Sequence, residues 1–117
     1  MDAAHSSVLL AASVLETLIE SLGEHLSARQ AWVLLRIASA RTGWLDQREI
    51  SAALGSTSAA RIVQSLSDSG WRRNAAGDRL PGAGLIESHV DPHDRRLRRL
   101  TLTAAGRRLL EQFEETE

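Results

Sequence analysis

Four arginines lie in or directly after a predicted turn in the C-terminal third of the chain. They are Arg95, Arg96, Arg98 and Arg99. The turn is predicted over 91–96, where a proline and two aspartates separate strand-like runs at 85–90 and 97–103. The planar guanidinium fork of arginine suits phosphate and the guanine edge, so this hairpin could bind a polyanion. Because charged residues also protect sheet edges, it could equally be a solvated edge ribbon.

A second polar group lies on one face of a predicted helix that begins near residue 56 and ends at Ser69-Gly70. Its members are Thr57, Ser58, Arg61, Gln64 and Ser65, opposite an apolar stripe of Ala59, Ile62, Val63 and Leu66. A helix fits the major groove of DNA, where short polar side chains and arginines reach base edges and phosphates. The hydroxyls at 56–58 could alternatively serve only as a helix cap.

Two further kinds of chemistry are weakly indicated. His89, Asp91 and His93 alternate as in an extended strand and could share a metal, although exposed turn residues have the same spacing. A Ser-His-Asp triad lacks the glycine elbow and the strand-turn-helix context that would present a nucleophile. We therefore expect no metal site, no cofactor and no enzymatic activity.

Charge is segregated along the 117 residues, although the net charge is only −1. Residues 1–28 and 109–117 each carry four acidic residues and no arginine, whereas residues 61–108 carry ten arginines against five acidic residues. A basic centre between acidic ends is suited to an anionic partner that approaches the middle of the chain.

Composition excludes several classes of protein. The absence of cysteine excludes a disulfide scaffold, a thiolate zinc site and a cysteine nucleophile. The longest apolar stretch, at 8–15, is far shorter than the roughly 20 residues of a membrane span, and no basic residue precedes it to form a signal peptide. We expect a single domain over 1–117 in the cytoplasm, without membrane contact.

The apolar spacing predicts an amphipathic helix over about 5–23, with acidic residues on its other face. Ser27 and Gln30 form a capping-box pattern that opens a second helix, which ends near Ala40 to Gly43. Asp46 and Glu49 repeat that pattern before a short third helix over 46–54. Together with the helix after Gly55, this third helix predicts a helix-turn-helix over 46–70.

Residues 71–83 show no sustained period and are predicted to form a loop. Trp71 within it could anchor the loop, stack on a partner or touch DNA. The hairpin over 84–103 and a last helix over 104–117, capped by Thr103, complete the order α-α-α-α-β-β-α, with a minimal strand at Trp44-Leu45. The fold class is thus mainly α with a small β-hairpin.

The chain resembles the MarR family of winged helix-turn-helix regulators over about residues 26–110. The most specific match is Asp91-Pro92, then Asp94-x-Arg96, then Leu102-Thr103 and Gly106, which resembles the wing signature of that family. Further similar segments are 49–55 in the first helix of the DNA-binding unit, 61–70 in the recognition helix and Leu85-Ile86-Glu87 at the start of the wing. The 13 residues at 71–83 are an insertion relative to the family pattern.

This resemblance implies a winged helix-turn-helix fold and binding of double-stranded DNA. The recognition helix would lie in the major groove and Arg96, with Arg95, in the minor groove, while Asp94 holds a neighbouring arginine. Arg98 and Arg99 would add phosphate contacts. The resemblance further implies a homodimer formed through residues 1–25, a repressor, and a small-molecule effector that no residue identifies. The alternative is a winged-helix module that has abandoned DNA for a protein partner.

Overall fold

The computed structural model describes residues 3–23, 26–67, 69–73 and 75–114. Its helices are α1 (Ala3–Leu22), α2 (Ala28–Ser39), α3 (Gln47–Leu54), α4 (Ser56–Leu66) and α5 (Ala104–Glu114). Its strands are β1 (Leu45–Asp46), β2 (Ser69–Arg73), β3 (Arg79–Pro81), β4 (Ile86–Val90) and β5 (Arg98–Leu102). This mainly helical architecture confirms the predicted fold class. The minimal strand also forms, one residue later than predicted.

Helix starts follow the predicted cap residues at three of four positions. The Ser27 and Gln30 capping box forms in full at the start of α2, and Thr103 caps α5 by accepting from the Gly106 N–H at 3.1 Å. At α3 the predicted cap residue Asp46 is confirmed, because its carboxylate accepts from the Arg48 N–H at 2.9 Å, but Glu49 does not complete a capping box. The carboxylate of Glu49 instead lies 3.9 Å from Arg36.

The turn of the helix-turn-helix is a single glycine. Gly55 has φ of 91°, a left-handed conformation that side chains disfavour, and it both ends α3 and precedes α4. The predicted cap by the Ser-Thr-Ser run is wrong, since α4 has no side-chain cap. Because the helix already begins at Ser56, these hydroxyls lie inside its first turn rather than before it.

The wing is the β4–β5 hairpin, and β1 pairs with its inner strand to give a three-stranded antiparallel sheet of order β1-β5-β4. Leu45 is the partner of Leu100, and Ile86 is the partner of Leu102. The wing is therefore hydrogen-bonded to β1, which immediately precedes α3. This pairing attaches the hairpin to the helix-turn-helix.

Residues 69–81 form a second hairpin, in which β2 and β3 pair antiparallel with an irregular register. The prediction of a loop over 71–83 is wrong for these strands, because neither shows the apolar alternation by which a strand is recognised. After β3 the chain returns to the C-terminal end of α4. There the N–H groups of Ala83 and Leu85 donate to the carbonyls of Ser65 and Leu66 at 2.9 and 2.8 Å.

One apolar core joins the helices to the wing. Its fully buried members include Leu18, Leu34, Ile37, Ile50, Leu66, Ile86 and Leu100. Trp32 packs against this core at its edge, and α1 adds Val14 beside Leu18. No helix in the described part of the chain is long and apolar enough to cross a membrane.

Candidate nucleic-acid interface

The outer face of α4 exposes three of the five residues predicted to contact DNA. Thr57, Arg61 and Gln64 are exposed, while Ala59, Ile62, Val63 and Leu66 are buried on the inner face. Ser58 lies between the two faces and is half-buried. The amphipathic spacing of α4 thus produces the predicted polar surface, with two residues from the first turns and one from the last.

Ser65 is separated from that surface. Its hydroxyl donates to the Ile62 carbonyl at 2.7 Å and accepts from the Gln30 side-chain amide at 3.0 Å. The Oε1 of the same Gln30 side chain accepts from the Ser27 N–H at 2.8 Å. Gln30 therefore both caps α2 and binds it to α4, and the half-buried Ser65 fixes the position of α4 within the fold.

Asp94 and Arg96 form an ion pair with two hydrogen bonds at the tip of the wing, and we call this pair the Asp94–Arg96 unit. The guanidinium donates to the Asp94 carboxylate through both Nε and Nη2, each at 3.1 Å, and the Arg96 N–H donates to the same carboxylate at 3.1 Å. The Arg96 guanidinium holds the pKa of Asp94 below its ordinary value, and the bond from the Arg96 N–H lowers it further. The side chain of Arg96 is nonetheless 88% exposed. Its conformation is restrained while its surface stays accessible.

Arg95 and Arg98 are exposed on either side of this unit, whereas Arg99 is not. The Arg99 Nε–H donates to the Asp91 carboxylate at 3.1 Å, and its guanidinium carbon lies 4.1 Å from the centre of the Trp44 ring. The expectation that Arg99 contacts phosphate is therefore not supported by its position. Trp44, the residue before β1, packs its ring against Arg99 of the wing.

Asp91, considered above as a turn residue and as a possible metal ligand, has a structural role in the wing. It is the buried polar residue among the described side chains, and it accepts from the N–H groups of His93 and Asp94 at 2.7 and 3.2 Å. The bond from the His93 N–H lowers the pKa of Asp91 most, against an opposing effect of burial. The Asx pattern before Pro92 is the signal that indicated this turn.

Arg48 is a basic residue near the wing that the sequence interpretation also missed. It lies in the first turn of α3, is paired with Asp46 at 3.0 Å, and keeps most of its side chain exposed. After the two bonds from Arg96, the charge of Arg48 makes a smaller contribution to the lowered pKa of Asp94. Arg48 was not identified from the sequence because the segment around it was interpreted only as a helix start.

The residues of the weakly indicated metal site are engaged elsewhere. The His89 Nε2 lies 3.2 Å from both the Glu87 carboxylate and the Thr101 hydroxyl, and Asp91 is bound to Arg99. No group of three potential ligands in the described chain could hold a metal ion. The side chain of Trp71 and those of the neighbouring strand residues lie outside the described part of the structure.

Neither a protein-family model nor a curated protein sequence matches the chain. Several solved structures, however, are similar to it. A mutant of MepR from a multidrug-resistant S. aureus clinical isolate aligns with a TM-score of 0.65 at 19% identity, over 95% of this chain and 69% of that one. MepR in complex with DNA gives 0.59 at 21% identity, over 96% and 76%. The transcriptional regulator PcaV from Streptomyces coelicolor gives 0.58 at 21% identity, over 98% and 74%.

These proteins contain the same arrangement of helices and wing as the present chain. The similarity predicted from the wing motif is therefore confirmed in three dimensions. At this level of identity it concerns the fold, and the chain has the winged-helix fold of the MarR-type regulators.

Proposed function

We propose that this protein is a transcription regulator that binds a specific sequence in double-stranded DNA as a homodimer and acts as a repressor. The observation that carries the proposal is the joint exposure of two surfaces on one core. These are the polar face of α4 and the wing-tip Arg96, held by Asp94. Two of the similar solved structures are MepR bound to DNA, which supports the same use of this fold.

In this proposal α4 enters the major groove. Thr57, Ser58, Arg61 and Gln64 contact base edges or phosphates there. Ser65, predicted as a contact, is assigned instead to holding α4 against α2 through Gln30. A wing fits the narrower minor groove, whose negative potential attracts Arg96 together with Arg95, while Arg98 binds an adjacent phosphate.

The dimer is proposed to form through α1. Val8, Leu15 and Ile19 recur at helical spacing beside the buried Val14 and Leu18, yet Val8 is 68% and Ile19 51% exposed. An apolar stripe that its own domain does not cover is typical of an interface. Pairing through α1 would place two copies of α4 about 34 Å apart, on a pseudo-palindromic site.

Ile19→Glu tests this interface, with Leu9→Glu as a matched control. Leu9 is 50% exposed, but helical geometry places it on the side of α1 that carries Glu16 and Glu20. We expect Ile19→Glu to be monomeric by sedimentation and Leu9→Glu to remain dimeric. If the unaltered protein sediments as a monomer at micromolar concentration, the dimer is disproved.

A small-molecule effector is also part of the proposal. PcaV is one of the similar structures, and it has been solved in complex with its natural ligand. The present chain contains an open cleft of about 440 Å³, lined by residues that include Ile37, Leu102 and Arg107. Release of bound DNA by a compound that also raises the melting temperature of the protein would identify such a ligand.

Fluorescence anisotropy tests the DNA-binding function directly. The protein is titrated onto the DNA upstream of its own gene and onto a scrambled duplex, at low and at near-physiological salt. We expect selective binding whose logarithmic salt dependence has a slope of roughly 0.9 per phosphate contacted. Absence of selective binding at every salt concentration would instead favour the alternative, a winged-helix module that binds a protein.

A further inference from the structure

Three side chains meet where the strands of the wing pass into its turn, two from the hairpin and one from the residue before β1. Arg99 of β5 lies between the ring of Trp44, at 4.1 Å from its centre, and the carboxylate of Asp91, at 3.1 Å. The Asp91 side chain is only 10% exposed and that of Arg99 30%. We call Trp44, Asp91 and Arg99 the wing clasp.

The wing clasp controls the turn that presents Arg96. Besides binding Arg99, the Asp91 carboxylate accepts from the Asp94 N–H at 3.2 Å, and the Asp91 N–H donates to the Leu97 carbonyl at 3.0 Å. Asp94 in turn holds the Arg96 guanidinium. A continuous series of bonds therefore leads from Trp44 through Arg99, Asp91 and Asp94 to Arg96.

The same clasp connects the wing to the helix-turn-helix. Trp44 immediately precedes β1, and Asp46 of β1 is the register partner of Arg99. Asp46 also caps α3. The clasp is thus located where it can set the position of the wing tip relative to the helices that carry the polar face of α4.

We propose that the wing clasp is a positioning unit for DNA binding, in which Arg99 and Asp91 act through Arg96 and do not themselves contact DNA. This inference rests on the proposed function. Ordering a flexible tip during binding costs free energy, so a tip that is already fixed binds more tightly. Because Ile86 and Leu100 anchor both strands in the core, loss of the clasp is expected to lower the stability of the hairpin without unfolding it.

Asp91→Asn gives the most discriminating test, because the loss of a negative charge and the loss of the clasp predict opposite changes in DNA affinity. Removing a negative charge from a DNA-binding surface should tighten binding by simple electrostatics. Loss of the ionic bond to Arg99 should instead weaken it, by about two- to twelvefold, if one side chain must then be ordered on binding. Glu87→Gln is the matched control, since it makes the same charge change on the same hairpin at a side chain 54% exposed and paired with His89.

We expect weaker binding for Asp91→Asn and unchanged or slightly tighter binding for Glu87→Gln. Equal affinities of the two variants would overturn the clasp proposal. Thermal melting confirms that each variant is folded in the assay. If Asp91→Asn is not folded, two other variants test the clasp. Arg99→Lys removes the Nε–H bond to Asp91, Trp44→Leu removes the aromatic face, and each is expected to weaken DNA binding.

Two further measurements separate positioning from direct contact. In an Arg96→Ala background, Asp91→Asn should cause no additional loss of affinity, whereas additive losses would show that the clasp does not act through Arg96. Arg99→Gln should weaken binding without altering the salt slope. A slope reduced by about 0.9 would mean that Arg99 itself binds phosphate.

Failure of the two proposals can be distinguished. If the unaltered protein binds no duplex selectively, the proposed function and the clasp proposal both fail. If it binds selectively while Asp91→Asn behaves like Glu87→Gln, only the clasp proposal fails.

Discussion

Two hairpins follow α4, and they are stabilised in different ways. The wing buries Ile86 and Leu100 in the core and gains a third strand from β1. The β2–β3 hairpin is a separate sheet, and no third strand in the described part of the chain pairs with it. Isolated two-stranded hairpins are marginally stable in water, so β2–β3 depends on the way its ends are held.

Those ends are held by the C-terminus of α4. The N–H groups of 83–85 satisfy helix carbonyls that would otherwise lack partners. Gly82 approaches so closely that a Cβ there would overlap the Ser67 carbonyl oxygen. The comparison shows that buried side chains anchor the strands of the wing, and that backbone bonds at the root hold the ends of β2–β3.

The largest effect on stability is expected from Leu100→Ala in the wing. Leu100 is fully buried, so truncation should lower the free energy of unfolding by about 2–5 kcal/mol, measured by urea denaturation. Val90→Ala in the same hairpin is the control, since Val90 is exposed and should cost less than about 1 kcal/mol. Similar losses for both variants would mean that the wing is not anchored through its buried face.

Arg96→Ala should change DNA affinity rather than stability. Loss of a specific groove contact should raise Kd about ten- to a hundredfold, while the melting temperature stays within error because Arg96 lies at an exposed tip. Arg29→Ala, an exposed arginine in the first turn of α2, should leave the affinity within twofold, roughly the effect of one distant charge. Unchanged binding by Arg96→Ala would remove the wing from the mechanism.

Acid should destabilise the wing through Asp91. The pKa of Asp91 is lowered in the folded protein, so the ionised carboxylate stabilises the fold fully at any pH above the ordinary pKa of 3.8. This stabilisation is lost as the pH falls through the lowered pKa. Asp91→Asn should therefore show a shallower loss of stability below about pH 5 than the unaltered protein. Parallel pH profiles from thermal melts would contradict this assignment.

Excision of residues 70–81 should have the smallest effect. Ser69 and Pro81 are register partners, so joining Ser69 to Gly82 is geometrically possible and leaves Ala83 in place to cap α4. We expect a cooperative melt and a loss of no more than about 1 kcal/mol. The full 71–83 insertion is a poorer choice for deletion, because it includes Ala83, whose N–H donates to the Ser65 carbonyl at the end of α4.

Gly82→Ala provides the contrasting variant for the excision. A single methyl group at the crowded root should cost about 1–3 kcal/mol, more than removal of the whole hairpin. If the excised protein instead loses DNA affinity as severely as Arg96→Ala, β2–β3 is a second DNA-binding hairpin and the contrast with the wing disappears.

Features that depend on neighbouring residues were predictable from the sequence. The helices follow from apolar spacing, the α2 cap from Ser27 and Gln30, and the Asp94–Arg96 unit from residues two positions apart. The exposed face of α4 follows from the position of its core stripe. In each case the interaction is local, so residue type and spacing along the chain are sufficient to indicate it.

Features that depend on distant residues required the fold. Ser65 meets Gln30 across 35 positions, which moved it from a predicted contact to a structural role. Arg98 and Arg99 are adjacent in the same arginine run, yet one is exposed and the other lies between Asp91 and Trp44. Side-chain partners of this kind are set by the approach of separate elements in space, and no local pattern of residue types specifies that approach.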